Sequence, residues 1–170
     1  GLLGNLIGDD KAVACIEDTA VPLKDLPAYI AEFAKMMVDF DQKAVYYAHA
    51  GAGEIHLRPI LNLKKKADVV LFRKITTKTA QLVKKYKGSF SGEHGDGIVR
   101  SEFIPMMIGP KNYELLKRIK TAFDPSNSFN PGKIVNPLLM DKSMRYVPDR
   151  QEPIIPTLMN FDDSQGILKH

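Results

Sequence analysis

Three of the four histidines in this 170-residue chain stand in two glycine-rich stretches. The first reads His49-Ala50-Gly51-Ala52-Gly53-Glu54-Ile55-His56-Leu57-Arg58 and has the pattern of two short strands around a turn. With Ala52-Gly53 as a two-residue loop, position 49 pairs with 56 and the two Cβ atoms stand roughly 5 Å apart. Tyr47, Glu54 and Arg58 then share the histidine face, while Ala48, Ala50, Ile55 and Leu57 form an apolar face fit for a core. Two imidazoles are an incomplete ligand set. The second stretch, Ser91-Gly92-Glu93-His94-Gly95-Asp96-Gly97, offers a carboxylate and a further imidazole on a turn too rich in glycine for a regular helix. His49, His56 and Glu93 together make a two-His, one-carboxylate set, the ligation of a catalytic metal with open positions. Zinc suits these donors, as do manganese, iron and cobalt. The bland alternatives are surface histidines on adjacent strands and a turn with incidental polar residues.

These residues need elements to hold them. Lys11 to Glu17 is apolar enough for a buried strand, which Asp18-Thr19 and then Pro22 should end. Leu26, Tyr29, Ile30, Phe33, Met36, Met37 and Phe40 recur at helical spacing. A second helix is predicted from about 67 to 87, with Phe72, Ile75, Leu82, Val83 and Tyr86 buried and Gly88 as terminator. Ser89-Phe90 can start one more strand. The order strand, helix, strand, strand, helix, strand predicts an α+β fold, a ferredoxin-like antiparallel sheet with helices on one face. Beyond it, Ile98 to Ile108 suggests a short helix broken at Pro105, and Tyr113, Leu116, Ile119 and Phe123 mark a last helix. Lys133 follows that helix in a turn that either holds an anion or only redirects the chain. Residues 1–136 read as one domain and 137–170, with prolines at 137, 148, 153 and 156, as an extended linker that Ile154, Ile155, Leu158 and Met159 could pin to a surface.

Composition narrows the function classes. A net charge of +4 with scattered lysines argues against nucleic-acid binding and suits small anions. Apolar runs stay short of the roughly 18 residues of a membrane span. The single cysteine, Cys15, sits in an apolar run as an inert thiol and excludes an internal disulfide or a cysteine-based cluster, which points to a cytoplasmic setting. The chain opens on Gly1 with nothing resembling a leader, as a piece of a longer protein would.

Four segments, Glu17 to Pro22, the His49 to His56 hairpin, Ser91 to Gly97, and Phe123-Asp124-Pro125 through Asn130-Pro131-Gly132-Lys133, together resemble the C-terminal half of flavin-linked D-2-hydroxyacid dehydrogenases of the vanillyl-alcohol oxidase type. The resemblance runs over about residues 10 to 137 and is strongest to long forms fused to an iron–sulfur region. It implies that His49, His56 and Glu93 bind the metal and that His94 is the active-site base. It also implies that Asn130 and Lys133 lie near FAD, most of which an N-terminal domain would hold, and that the tail leads toward a C-terminal iron–sulfur domain. Lactate, glycolate and 2-hydroxyglutarate are the implied substrate class. Arg58 stands where many relatives have Asn, and its planar fork would read a substrate carboxylate bidentately. The residues alone also fit a non-catalytic metal- or small-molecule-binding module of the same fold.

Overall fold

A computed structural model describes residues 6–167. Among them the sheet contains β1 (Lys11–Ala12), β2 (Ile16–Ala20), β3 (Ala44–His49) and β4 (Glu54–Leu61). β4 is central: it pairs antiparallel with β3 on one side and with β1 and β2 on the other. An antiparallel bridge from Ala20 to Ser89 adds the short fourth-strand contact beyond β2. The spatial order, 89 beside β2, then β4, then β3, is that of the split βαβ arrangement, and the α+β class stands.

Helix α1 (Leu26–Asp39) connects β2 to β3, and α2 (Lys66–Lys85) follows β4. Their apolar stripes meet the sheet in a core of Ile16, Tyr29, Phe33, Ile55, Leu57, Ile75 and Val83. Leu26 and Met37 extend the stripe of α1, and Phe72 that of α2, as their helical spacing predicts. Then come α3 (Gly97–Arg100), α4 (Ile104–Ile108) and α5 (Pro110–Phe123). Pro105 occupies the first turn of α4 and so begins a helix instead of breaking one, because a first-turn residue needs no N–H partner.

Several local expectations are corrected. The first strand does not end at Asp18-Thr19. β2 continues to Ala20 through a register shift between Ile16 and Thr19, with Asp18 at φ +57°. Lys87, not Gly88, takes the left-handed conformation after α2 (φ +54°). Gly88 is needed for a different reason: a Cβ there would lie 2.3 Å from the Ala20 carbonyl oxygen, where the chain crosses β2. Ala48 and Ala50 are exposed, because β3 is an edge strand. The stripe marked in α5 is not core either: Ile119 and Phe123 are exposed and Tyr113 and Leu116 only half-buried.

Among the described residues past 137 the chain is irregular apart from one short 3-10 turn, Asp162–Ser164. Its fastening differs from the expected one: Ile154, Leu158 and Met159 are exposed. Met140 is buried instead, Asp141 pairs with Arg73 at 2.8 Å and Glu152 with Lys64 at 2.9 Å.

Candidate metal and substrate site

The hairpin closes through a four-residue connection, a 3-10 turn over Ala50–Ala52 followed by Gly53 in the left-handed region (φ +74°). The two-residue loop is therefore wrong, and so is its register: His49 faces Glu54 and Tyr47 faces His56. The error is two residues, an even number, so each side chain keeps its face. His49 and His56 are diagonal neighbours, with ring centroids 5.4 Å apart. Gly53 has a steric reason beyond its φ, since a Cβ would meet the Val21 carbonyl oxygen at 2.2 Å.

The histidine face is not open along its whole length. Tyr47 stacks on His56 with centroids 4.5 Å apart, and the turn over 91–96 lies across it. His56 is thus only 2% exposed. Glu93 Oε1 stands 3.6 Å from His56 Nε2 and 3.8 Å from His49 Nε2. One donor atom from each of these three residues lies within 4.8 Å of the other two. A second such group joins Glu17, His56 and His94. The His94 ring lies between two carboxylates: Nδ1 is 3.2 Å from Glu17 Oε1 and Nε2 is 3.2 Å from Glu93 Oε1.

The residues fit a divalent cation on a structural observation. Both ring nitrogens of His56 are buried and neither has a hydrogen-bond partner, which is costly for an imidazole unless an ion or another donor or acceptor meets it. Glu54 Oε1, 3.4 Å from His56 Nε2, is likewise buried and unpartnered. Burial and the neighbouring Glu93 carboxylate push the Glu54 carboxyl up from its ordinary range.

What aims the turn is Asp18, a residue that reads in the sequence as a strand terminator. Asp18 is fully buried at the β2 irregularity. Its carboxylate accepts hydrogen bonds from the Ser91 hydroxyl (2.8 Å) and from the N–H groups of Glu93 (3.0 Å) and His94 (2.8 Å). It also pairs with Arg100, itself buried, which donates to the carbonyls of Glu17, Phe90 and Gly95. Burial would raise the Asp18 pKa, but the bonds from Arg100, the two backbone N–H groups and Ser91 outweigh it and hold it below the usual aspartate range.

The other predicted site residues are placed less completely. Arg58 lies on the histidine face, over the Tyr47 ring at 5.6 Å, but its Nη2 pairs with the Glu17 carboxylate. Arg58 Nε is buried without a partner, so half of the fork is unused. Asn130 is exposed at φ +50° and Lys133 half-buried, both in the turn after α5. Asp124 orders the start of that turn by accepting from the N–H groups of Ser128 and Phe129. Glu17, Asp18, Glu54 and Arg100 are the residues that sequence reasoning left without a role. Glu54 had a visible signal in its place between the histidines, and Glu17 and Asp18 in the segment Glu17 to Pro22 that carries part of the resemblance; Arg100 had none. A cavity of about 510 Å³ lined by apolar residues such as Leu61, Phe72 and Met140, with Asp9, Lys64 and Arg145 also on its wall, contains none of the histidines.

A sequence model of the C-terminal domain of FAD-linked oxidases matches residues 2–134. The chain is 41% identical over 161 residues to a D-2-hydroxyglutarate dehydrogenase of Haemophilus influenzae, covering 91% of this chain and 16% of that protein. It is 42% identical over 138 residues to one of Pseudomonas putida, covering 81% and 14%. A D-lactate dehydrogenase of Archaeoglobus fulgidus is 31% identical over 128 residues, covering 75% and 28%. The chain thus spans only about one sixth of the length of the D-2-hydroxyglutarate dehydrogenases it matches most extensively.

Proposed function

The chain belongs to the family of FAD-linked oxidase C-terminal domains, and on that premise we propose that it is the substrate- and metal-binding part of a flavoenzyme that oxidises a D-2-hydroxy acid to the 2-oxo acid. Relatives named D-2-hydroxyglutarate dehydrogenase and D-lactate dehydrogenase support that substrate class. The observation that carries the reading is the convergence of His49, Glu93 and a buried His56 with no partner for either ring nitrogen.

In this reading His49, His56 and Glu93 hold a divalent cation, zinc or alternatively manganese, iron or cobalt. When bound, the cation supplies Lewis-acid polarisation of the substrate hydroxyl, and FAD supplies the two-electron acceptor. His94 takes the hydroxyl proton. In the tautomer that donates from Nδ1 to Glu17, Nε2 is the accepting nitrogen, on the side of Glu93. Arg58 binds a substrate carboxylate, which competes with Glu17 for its guanidinium. Asn130 and Lys133 lie toward the flavin, which an N-terminal domain of the same gene product holds in the main, and an iron–sulfur region of that product passes the electrons on.

The test is made on the intact gene product. D-2-hydroxyglutarate, D-lactate and glycolate are added to the oxidised protein, and flavin absorbance is followed with and without chelator. At least one acid is expected to bleach the flavin, and chelation to stop it until metal is returned. A protein that none of the three reduces is better described as the non-catalytic binding module.

A further inference from the structure

The carboxylates around the site are not equally provided for. Glu17 faces Arg58, and Asp18 faces Arg100. Glu54 has no guanidinium or ammonium among its ion pairs, only the His56 imidazole at 3.4 Å. It is only 7% exposed and its Oε1 has no hydrogen-bond partner. A buried carboxylate oxygen left without a partner is costly unless an ion meets it. The fold nevertheless makes room for it. A Cβ at Gly92 would stand 3.2 Å from the Glu54 carboxyl group, so the turn that carries Glu93 leaves a side chain out at that point. Pairing with His49 across the hairpin directs Glu54 to the same face as the histidines.

We infer that Glu54 is a fourth donor to the cation held by His49, His56 and Glu93. The set then has two imidazoles and two carboxylates, and the added hard oxygen donor moves its preference toward manganese or iron(II) and away from zinc. The inference rests on the metal reading above and goes beyond it in ligand number and metal identity. It assigns the unpartnered Oε1 a partner and supplies the positive charge that the pair of carboxylates lacks.

The experiment compares the intact gene product with its Glu54→Gln, Glu54→Asp and Glu93→Gln variants, stripped of metal and titrated with manganese chloride and zinc chloride against a chelating indicator. Glu54→Gln keeps the shape and should lose at least about tenfold in manganese affinity, the scale at which a metal site responds to altered ligand support. Zinc affinity should fall less, so the manganese-to-zinc ratio drops. Glu54→Asp keeps the charge but withdraws the carboxylate, and should weaken manganese too. Added manganese should raise the melting temperature of Glu54→Gln less than that of the wild type. Equal manganese affinity and an equal metal ratio in wild type and Glu54→Gln, with Glu93→Gln defective, would remove Glu54 from the ligand set and leave the three-donor site standing. A wild-type protein that binds neither cation overturns the metal reading itself and the inference with it.

Discussion

At the scale of single residues, the site divides labour between adjacent positions on one turn. Asp18 accepts from the backbone N–H groups of both Glu93 and His94, and this holds the turn so that Glu93 stands 3.6 Å from His56 while both side chains stay partly exposed. Replacing His94 by Ala in the intact gene product should leave bound metal unchanged and lower kcat about a hundredfold or more, the usual loss for a general base. Replacing Glu93 by Ala should remove metal and activity together, which metal analysis beside the kinetics will separate. Arg58→Lys should mainly raise KM, since a point charge replaces a fork of which one donor already serves Glu17. Unchanged kinetics would take Arg58 out of the substrate site. For Asp18→Asn the readout is stability. A buried Arg100 without its counter-ion should cost about 3–5 kcal/mol in urea unfolding. The sign with pH follows from a folded pKa below the ordinary 3.8. The Asp18 contribution is complete above that value and is lost as pH falls through the lowered folded one. The gap between wild type and variant should therefore narrow only in that acid range.

At the scale of elements, close backbone crossings make two glycines structural. Gly88 sets the chain after α2 against β2, with Ser89 donating to the Ala20 carbonyl (2.8 Å) and Ala20 to the Ser89 carbonyl (3.0 Å). Gly88→Ala puts a methyl into the Ala20 carbonyl and should destabilise by about 1–3 kcal/mol, the cost of overpacking. The same substitution would shift the segment leading into Ser91 to Gly97, so metal affinity should fall with stability. Calorimetry and a metal titration on one preparation will test that coupling. The irregularity in β2 has a comparable role. The extra residue between Ile16 and Thr19 lets both of those face the core while Glu17 and Asp18 reach the turn that carries His94.

At the scale of the whole molecule, one side of the structure is finished and another is not. Cys15 is buried in the core and its thiol is pushed up to about 12, chiefly by burial, so it should resist alkylation in the native state. Leu115, Ile119 and Phe123, by contrast, leave the apolar side of α5 exposed, beside an exposed Phe129. Expressed as these 170 residues alone, the protein should be colourless and turn over no D-2-hydroxy acid, because Asn130 and Lys133 offer too few contacts for FAD. A stoichiometrically yellow, active preparation would refute this. No helix among the described residues is long and apolar enough to cross a membrane.

The sequence by itself determined the α+β layering and which side chains share the histidine face. Both depend on periodicity, and the period of two in a strand survived even a wrong turn length, since a two-residue shift of register preserves the face. It also pointed to His49, His56, Glu93 and His94, which the structure brings together, because glycine-framed polar residues are visible locally. Only the tertiary structure decided how deeply His56 is buried, that Glu17 occupies part of Arg58, and that Asp18 and Arg100 hold the turn. Those contacts join positions more than 70 residues apart in the cases of Asp18 with Glu93, His94 and Arg100. A buried ion pair leaves no periodic trace, and in the sequence Asp18-Thr19 has the composition of a strand terminator. The outward apolar face of α5 looked like core for the opposite reason: an amphipathic stripe shows that something covers a helix, and only packing shows what does.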